Sequence, residues 1–419
     1  MNSSDCTWQK KIWSQICNTF FCDQTAMIYD YITSFDHDHR FDHLPSPEEI
    51  ALDFPNPCGW STGMEDCALN GGLMLELLYL RDEMSSAFAC KVAEGLIRGG
   101  SIHGTPGFVA RSLSIYDGKR CYSNSSRDQF TLATYGVWRL VSKAKNLPKS
   151  LRQAAVGYLA SVADYCEKNA VPSNDYNLMR LDAKPAIVST VWHCSAHEAM
   201  RLPMIYGIAA DVTGEPGYQE LMLRYAHRGL QQTLELDPHG DMWDMPVIQM
   251  QLSLNFFFES NLVAELKPDL RHAMNLAGDI AMSKLPKLIE EAENFSGNWN
   301  ELYINWRNLP MYVTPSTIAP DGRTALFGGK SYLNPAFRRE FAVPNELMRG
   351  IGNYLATIAL SPDVALQKGL LSRVDHIARK IDFSGFSGIG ILPFLYGYTA
   401  IEHKIAYEKG KNGNRNLAI

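Results

Sequence analysis

Apolar residues recur at helical spacing along nearly the whole chain, and the pattern resolves into a dozen segments. They fall near residues 5–33, 63–80, 83–99, 126–145, 148–169, 190–211, 215–237, 245–262, 267–292, 344–361, 363–380 and 388–405. Strand-like alternation is scarce and predicts only short hairpins within 100–125 and 300–340.

The connections alternate in length. After every second helix the link is short, near 81–82, 146–147, 212–214, 263–266 and 362. After the others it is often long: 34–62, 100–125, 170–189 and 293–343. Short links join antiparallel neighbours at one end, so the long ones gather at the opposite end. The second helix of each pair is also the more apolar, as in Val247 to Leu262 and Ile389 to Tyr398. These read as an inner ring buried all round, with an amphipathic outer ring about it. The expected architecture is an all-α (α/α)6 barrel, one domain spanning 1–419, since no Pro-, Gly- or Ser-rich linker divides the chain. In such a ring the inner helices run one way, and their N-termini meet at the long-loop face. Those ends present free N–H groups and the positive end of the dipole, so polar side chains in the first turns converge on one pocket.

Composition narrows the partners. Hydrophobic residues make up 46% of the 419 positions and charged residues 20%, enough apolar material for one large core. A net charge of −6 with no long basic run argues against nucleic acid and anionic membrane. No stretch approaches the ~18 unbroken apolar residues of a membrane span. Residues Met1 to Lys11 lack the apolar run of a signal peptide. Cytoplasm is therefore expected, or periplasm if a signal has been removed. Nine scattered cysteines without a CxxC read as reduced core thiols, and neither metal nor cofactor is expected.

The candidate chemistry lies at the first turns. Asp66 and Asn70 share a helix face with Leu73 and Leu77, where a carboxylate is costly unless paired or used. Thr62-x-x-Glu65 reads as a capping box, which accounts for Glu65 better than for Asp66. The next inner helix opens Ser126-Arg127-Asp128-Gln129, with Ser126 and Gln129 again at capping-box spacing. Asp128 suits the dipole and Arg127 opposes it, so Arg127 is expected to bind an anion or to pair with a carboxylate. Near 190 come Trp192, His193 and His197; the two histidines are four apart, but no third metal ligand stands at a convincing spacing. Trp192 and His193 are expected in the pocket, with His197 a core histidine. His239, Asp241, Trp243 and Asp244 crowd the loop before the fourth inner helix, with Asp244 a natural N-cap and Trp243 a candidate for stacking a sugar ring. The loop 100–125 adds Arg111 and Asp117.

Two of these segments resemble the unsaturated glucuronyl hydrolase family and its unsaturated rhamnogalacturonyl relatives, (α/α)6-barrel enzymes that act on the uronic acid ends left by polysaccharide lyases. Glu65-Asp66-Cys67-Ala68-Leu69-Asn70-Gly71-Gly72-Leu73-Met74 is similar to the family's I-D-C-x-M-N-x-x-L-L, whose aspartate is the general acid/base. Ser126-Arg127-Asp128-Gln129-Phe130-Thr131-Leu132-Ala133-Thr134-Tyr135-Gly136 resembles S-R-G-Q-A-W-x-x-Y-G, where the arginine and tryptophan contact the sugar. Asp128 replaces the family's glycine and Thr131 its tryptophan, and the family's other pocket aspartate, one inner helix earlier, has no match. The resemblance implies hydrolysis of a uronic-acid-containing oligosaccharide with Asp66 as acid/base. Asp128 would be its partner in the carboxylate pair that glycoside hydrolysis uses, and Arg127 would hold the substrate's carboxylate. Asn70, Gln129, Trp192, His193, His239, Asp241, Trp243, Arg111 and Asp117 complete the expected binding surface. Two other classes fit the same ring: a sugar epimerase or polysaccharide lyase led by histidine, and a non-catalytic carbohydrate-binding protein.

Overall fold

Thirteen α-helices lie among the described residues of the computed structural model, which are 7–239, 242–260, 262–308, 311–312, 332–333 and 335–415. In chain order they are α1 (Thr7–Gln15), α2 (Pro47–Ala51), α3 (Cys67–Leu80), α4 (Ala87–Gly99), α5 (Arg127–Lys143), α6 (Lys149–Asn169) and α7 (Arg201–Thr213). Then follow α8 (Pro216–Leu234), α9 (Asp244–Ser260), α10 (Lys267–Glu293), α11 (Pro335–Leu360), α12 (Leu370–Lys380) and α13 (Ile391–Arg415). With 61% of residues helical and 4% in strands, the fold is all-α.

Burial sorts the helices into two kinds. α3 is buried from Cys67 through Leu78, α5 from Gln129 through Val141 and α7 from Arg201 through Ala210. α4 and α12 bury one stripe each: Ala89, Val92, Ala93 and Leu96 in the first, Leu370, Val374, Ile377 and Ala378 in the second. The buried helices touch in a closed cycle. α3 packs on α5, α5 on α7, α7 on α9, α9 on α11, α11 on α13, and α13 returns to α3. α4, α6, α8 and α10 each pack on the buried helix before them, and α1 packs on α13.

Two crossings in this cycle require glycine. A Cβ on Gly72 of α3 would lie 2.0 Å from the Leu132 carbonyl oxygen of α5, and one on Gly397 of α13 would lie 1.9 Å from the Gly352 oxygen of α11. At its far end the cycle is tied by charge. Arg139 of α5, 1% exposed, donates from Nε to Glu76 of α3 at 2.7 Å and from its other nitrogens to Glu259 of α9 at 2.7 and 2.9 Å.

The chain's first and last thirds meet beside the inner-helix N-termini. The Ile389 N–H donates to the Asp30 carbonyl at 2.8 Å, the Ile32 N–H to Ser387 at 2.9 Å, and Tyr31 bridges Gly388.

Several boundaries differ from the sequence expectation. The segment 5–33 does not stay helical: α1 ends at Gln15, a π turn covers Ile16–Phe20, and β1 (Phe21–Cys22) pairs antiparallel with β2 (Met27–Ile28). The segment 190–211 begins its helix only at Arg201, because β3 (Asn177–Met179) and β4 (Pro185–Thr190) form a hairpin there. Pro203 then falls in the first turn of α7, where its missing N–H costs nothing. The segment 344–361 starts at Pro335, and 388–405 extends to Arg415. Residues 100–125 form no hairpin, whereas β5 (Met311–Tyr312) and β6 (Tyr332–Leu333) pair within 300–340.

Candidate functional site

The N-terminal turns of α3, α5, α7, α9 and α13 open onto one cavity of about 1080 Å³. Its lining also draws on the middle of α11 and on the loops carrying Asp30, Trp60, Arg111, Glu198 and Trp243.

At the start of α3 the free backbone donors are met from elsewhere in the chain. Neither expected capping box forms. The Asp30 carboxylate accepts from the Glu65 N–H at 2.7 Å and the Asp66 N–H at 3.1 Å, and Asn70 Nδ2 adds a third donor at 3.0 Å. The Ala68 N–H reaches the Arg111 carbonyl at 2.9 Å. Gln129, fully buried, leaves Ser126 and turns toward α3. Its Oε1 accepts from the Leu69 N–H at 2.9 Å, and its Nε2 donates to Asp66 Oδ1 at 2.7 Å. Arg111 stands 3.6 Å from the same oxygen. Freed from capping, the Asp66 carboxyl lines the cavity with its side chain 37% exposed. Burial and the neighbouring Glu65 push it up to about 6, against the pull of Arg111 and the Gln129 donor; Asp128 also raises it.

Asp66 in turn raises Asp30. Burial raises Asp30 most, followed by the charge of Asp66, while the two backbone N–H groups pull it down. Donor geometry decides which of the pair keeps a proton. Both oxygens of Asp30 face N–H donors only, so the charged form is satisfied there and the proton belongs to Asp66.

Asp128 has the opposite character. Burial raises it, but Arg201 at 2.5 Å, with Arg127 and Arg111 behind, holds it below the ordinary carboxylate range. Arg127 pairs with buried Glu198, and Arg201 lies 3.8 Å from the same carboxylate. Of the two roles open to Arg127, pairing with a carboxylate is the one present. His197 sits 3.7 Å from Glu198, and burial holds its imidazole low. Across the cavity, Asp244 is bound by Arg349 at 3.1 Å and Asn353 at 2.7 Å instead of serving as an N-cap. Trp243, 58% exposed, lies 5.8 Å from the Arg349 guanidinium. Tyr31 and Tyr303 stack with centroids 4.5 Å apart on the wall beside Asp30.

The structure thus brings Asp66, Asn70, Arg111, Arg127, Asp128 and Trp243 into one lining, with Gln129 behind it. Others lie elsewhere. Trp192 is buried against Tyr225 and His193 is exposed beside Tyr176, because α7 starts too late to carry them. His239 is exposed in a turn closed by Asp237. Asp117 caps its own surface turn through Lys119 and Arg120. Asp241 lies outside the described residues. Among the described residues, no three His, Cys, Asp or Glu side chains converge as a metal requires. No helix of the described residues is long and apolar enough to cross a membrane. No protein-family model, no curated protein and no solved structure matches the chain.

Asp30, Glu198 and Arg201 were not anticipated. Asp30 sits inside an apolar run that reads as helix, and its partners are 35 and 40 residues away. The visible signal for Arg201 was Pro203, which marks the first turn of α7 and so puts Arg201 at an inner-helix start.

Proposed function

We propose that the protein is a glycoside hydrolase built on an (α/α)6 toroid, with Asp66 as the proton donor and Asp128 as the carboxylate that activates water or stabilises positive charge on the sugar ring. The closed cycle of α3, α5, α7, α9, α11 and α13 supports the toroid. The reading rests on one observation: two carboxyl groups in one cavity are driven apart, Asp66 up to about 6 and Asp128 below its usual range. Such a split assigns an acid and a base. Trp243 would stack a sugar ring at the mouth.

The substrate would be an oligosaccharide carrying a uronic acid. Four cavity arginines support this, but each already has a carboxylate partner. A substrate carboxylate would therefore take the place of Glu198 or Asp244 on its arginine. The test is turnover of unsaturated, saturated and neutral disaccharides by wild type and Asp66→Asn. Loss of about 10²–10⁴-fold in Asp66→Asn on an acidic disaccharide supports the reading. Full activity in that variant, or turnover of neutral sugars alone, would sink it. A lyase or epimerase is the second reading, favoured by His197, which lines the cavity and is kept neutral. A new ultraviolet-absorbing double bond, or a product of unchanged mass, would select it. Tight binding without turnover, kept in Asp66→Asn, would select a binding protein.

A further inference from the structure

Gln129 bridges α5 and α3 in a way that fixes one side chain's orientation. Its amide oxygen is held by the Leu69 N–H at 2.9 Å, so its flip is set: the nitrogen must face Asp66, at 2.7 Å from Oδ1. Arg111, 3% exposed, approaches the same oxygen to 3.6 Å from the 100–125 loop. Both groups can only donate. A proton on Oδ1 would point at N–H groups, whereas a lone pair there accepts from them.

We infer that Gln129 is a positioning residue that reserves Oδ1 of Asp66 as an acceptor and leaves Oδ2 as the only oxygen that carries the proton. The fixed flip makes this a directional device. A leucine at 129 would leave Oδ1 with only Arg111, at 3.6 Å, and the Leu69 N–H unanswered. Every charged group facing Asp66 bears on its titration: Asp30 before α3, Glu65 beside it, Arg111, Asp128 on α5 and Arg349 on α11. Beside these charges Gln129 is a neutral donor, so its removal changes proton placement without changing net charge. The value of this to catalysis depends on the reading of Asp66 as the acid; the placement itself does not.

The experiment is a pH titration of full-length protein labelled with ¹³C at the aspartate carboxyl, with Asp66→Asn to assign the resonance. In wild type the Asp66 midpoint is expected near 6, and the Gln129 side-chain ¹⁵N–¹H signals are expected to titrate with the same midpoint. Gln129→Met and Gln129→Leu each remove the donor to Asp66 and the acceptor for Leu69 without adding a charge. Each is expected to move the Asp66 midpoint up by about one unit. A wild-type midpoint at the usual carboxylate value, Gln129 signals indifferent to Asp66, or folded variants with an unmoved midpoint would each overturn the inference. The Gln129 signals decide the matter even where neither variant folds. If the titrations hold but no glycoside is turned over, the functional reading fails and the proton placement stands.

Discussion

Asp66 is expensive to the fold in the form its proposed chemistry must regenerate. Its folded value of about 6 lies above the ordinary value of an aspartate in the unfolded chain. The sign follows: below pH 4 both states hold the proton and nothing is lost, and as pH rises through 6 the folded state must accept a charge that the unfolded chain already bears. Asp66→Asn is therefore expected to raise the melting temperature at pH 7.5 by a degree or more and to leave it unchanged at pH 4, by scanning calorimetry. For kcat/KM, the acid limb should reflect Asp128 and the alkaline limb Asp66, giving a bell whose optimum lies below pH 6. Replacing Arg201 by Gln should shift the acid limb upward, since Arg201 is the main group holding Asp128 low. An unmoved limb would show that Asp128 does not set it.

At the scale of elements, the sequence disclosed the alternation of buried and striped helices because burial on all sides leaves a signature in residue type alone. Val247 to Phe257 of α9 reads as inner, and Leu370, Val374 and Ile377 of α12 read as outer, without reference to any partner. Starts were legible where a first turn carried acidic or capping residues, as at Ser126, and so Asp66, Arg127 and Asp128 could be named. What stayed hidden depends on contacts between distant elements. Thr62–Glu65 and Ser126–Gln129 have capping spacing, yet Asp30 and the α3 N-terminus outcompete both by offering the same hydrogen bonds in the folded chain. Periodicity likewise ran Trp8, Ile12, Ile16 and Phe20 on toward Ile28 and Ile32, although the chain turns back at 23–26. The glycine crossings give a test at this scale. Gly72→Ala or Gly397→Ala forces two backbones apart and is expected to cost about 1–3 kcal/mol, read as a lower denaturant midpoint.

In the molecule as a whole, charge ties the ring at one end and opens it to solvent at the other. Arg139 joins α3, α5 and α9 through Glu76 and Glu259, and both Arg139 and Glu76 are nearly fully buried. Replacing Arg139 by Met strands Glu76 without a counter-charge and is expected to cost about 3–5 kcal/mol. Exchanging Arg139 and Glu76 together for apolar residues should recover much of that loss, by denaturant unfolding. A single substitution with no effect would show that Glu76 finds water or another partner.

The backbone bonds between Asp30 and Ile389, and between Ile32 and Ser387, carry a consequence for how the protein is made. Synthesis proceeds from the N-terminus, so Asp30, Asp66 and Asp128 all leave the ribosome long before the segment that clamps Asp30 exists. Until residues 387–389 emerge, the Asp30 segment is held to α3 and residues 61–63 but lacks the two backbone bonds that join it to the last third of the chain. A chain stalled before residue 387 would thus carry Asp30, Asp66 and Asp128 without this clamp, and is expected to be less active than one that has passed it.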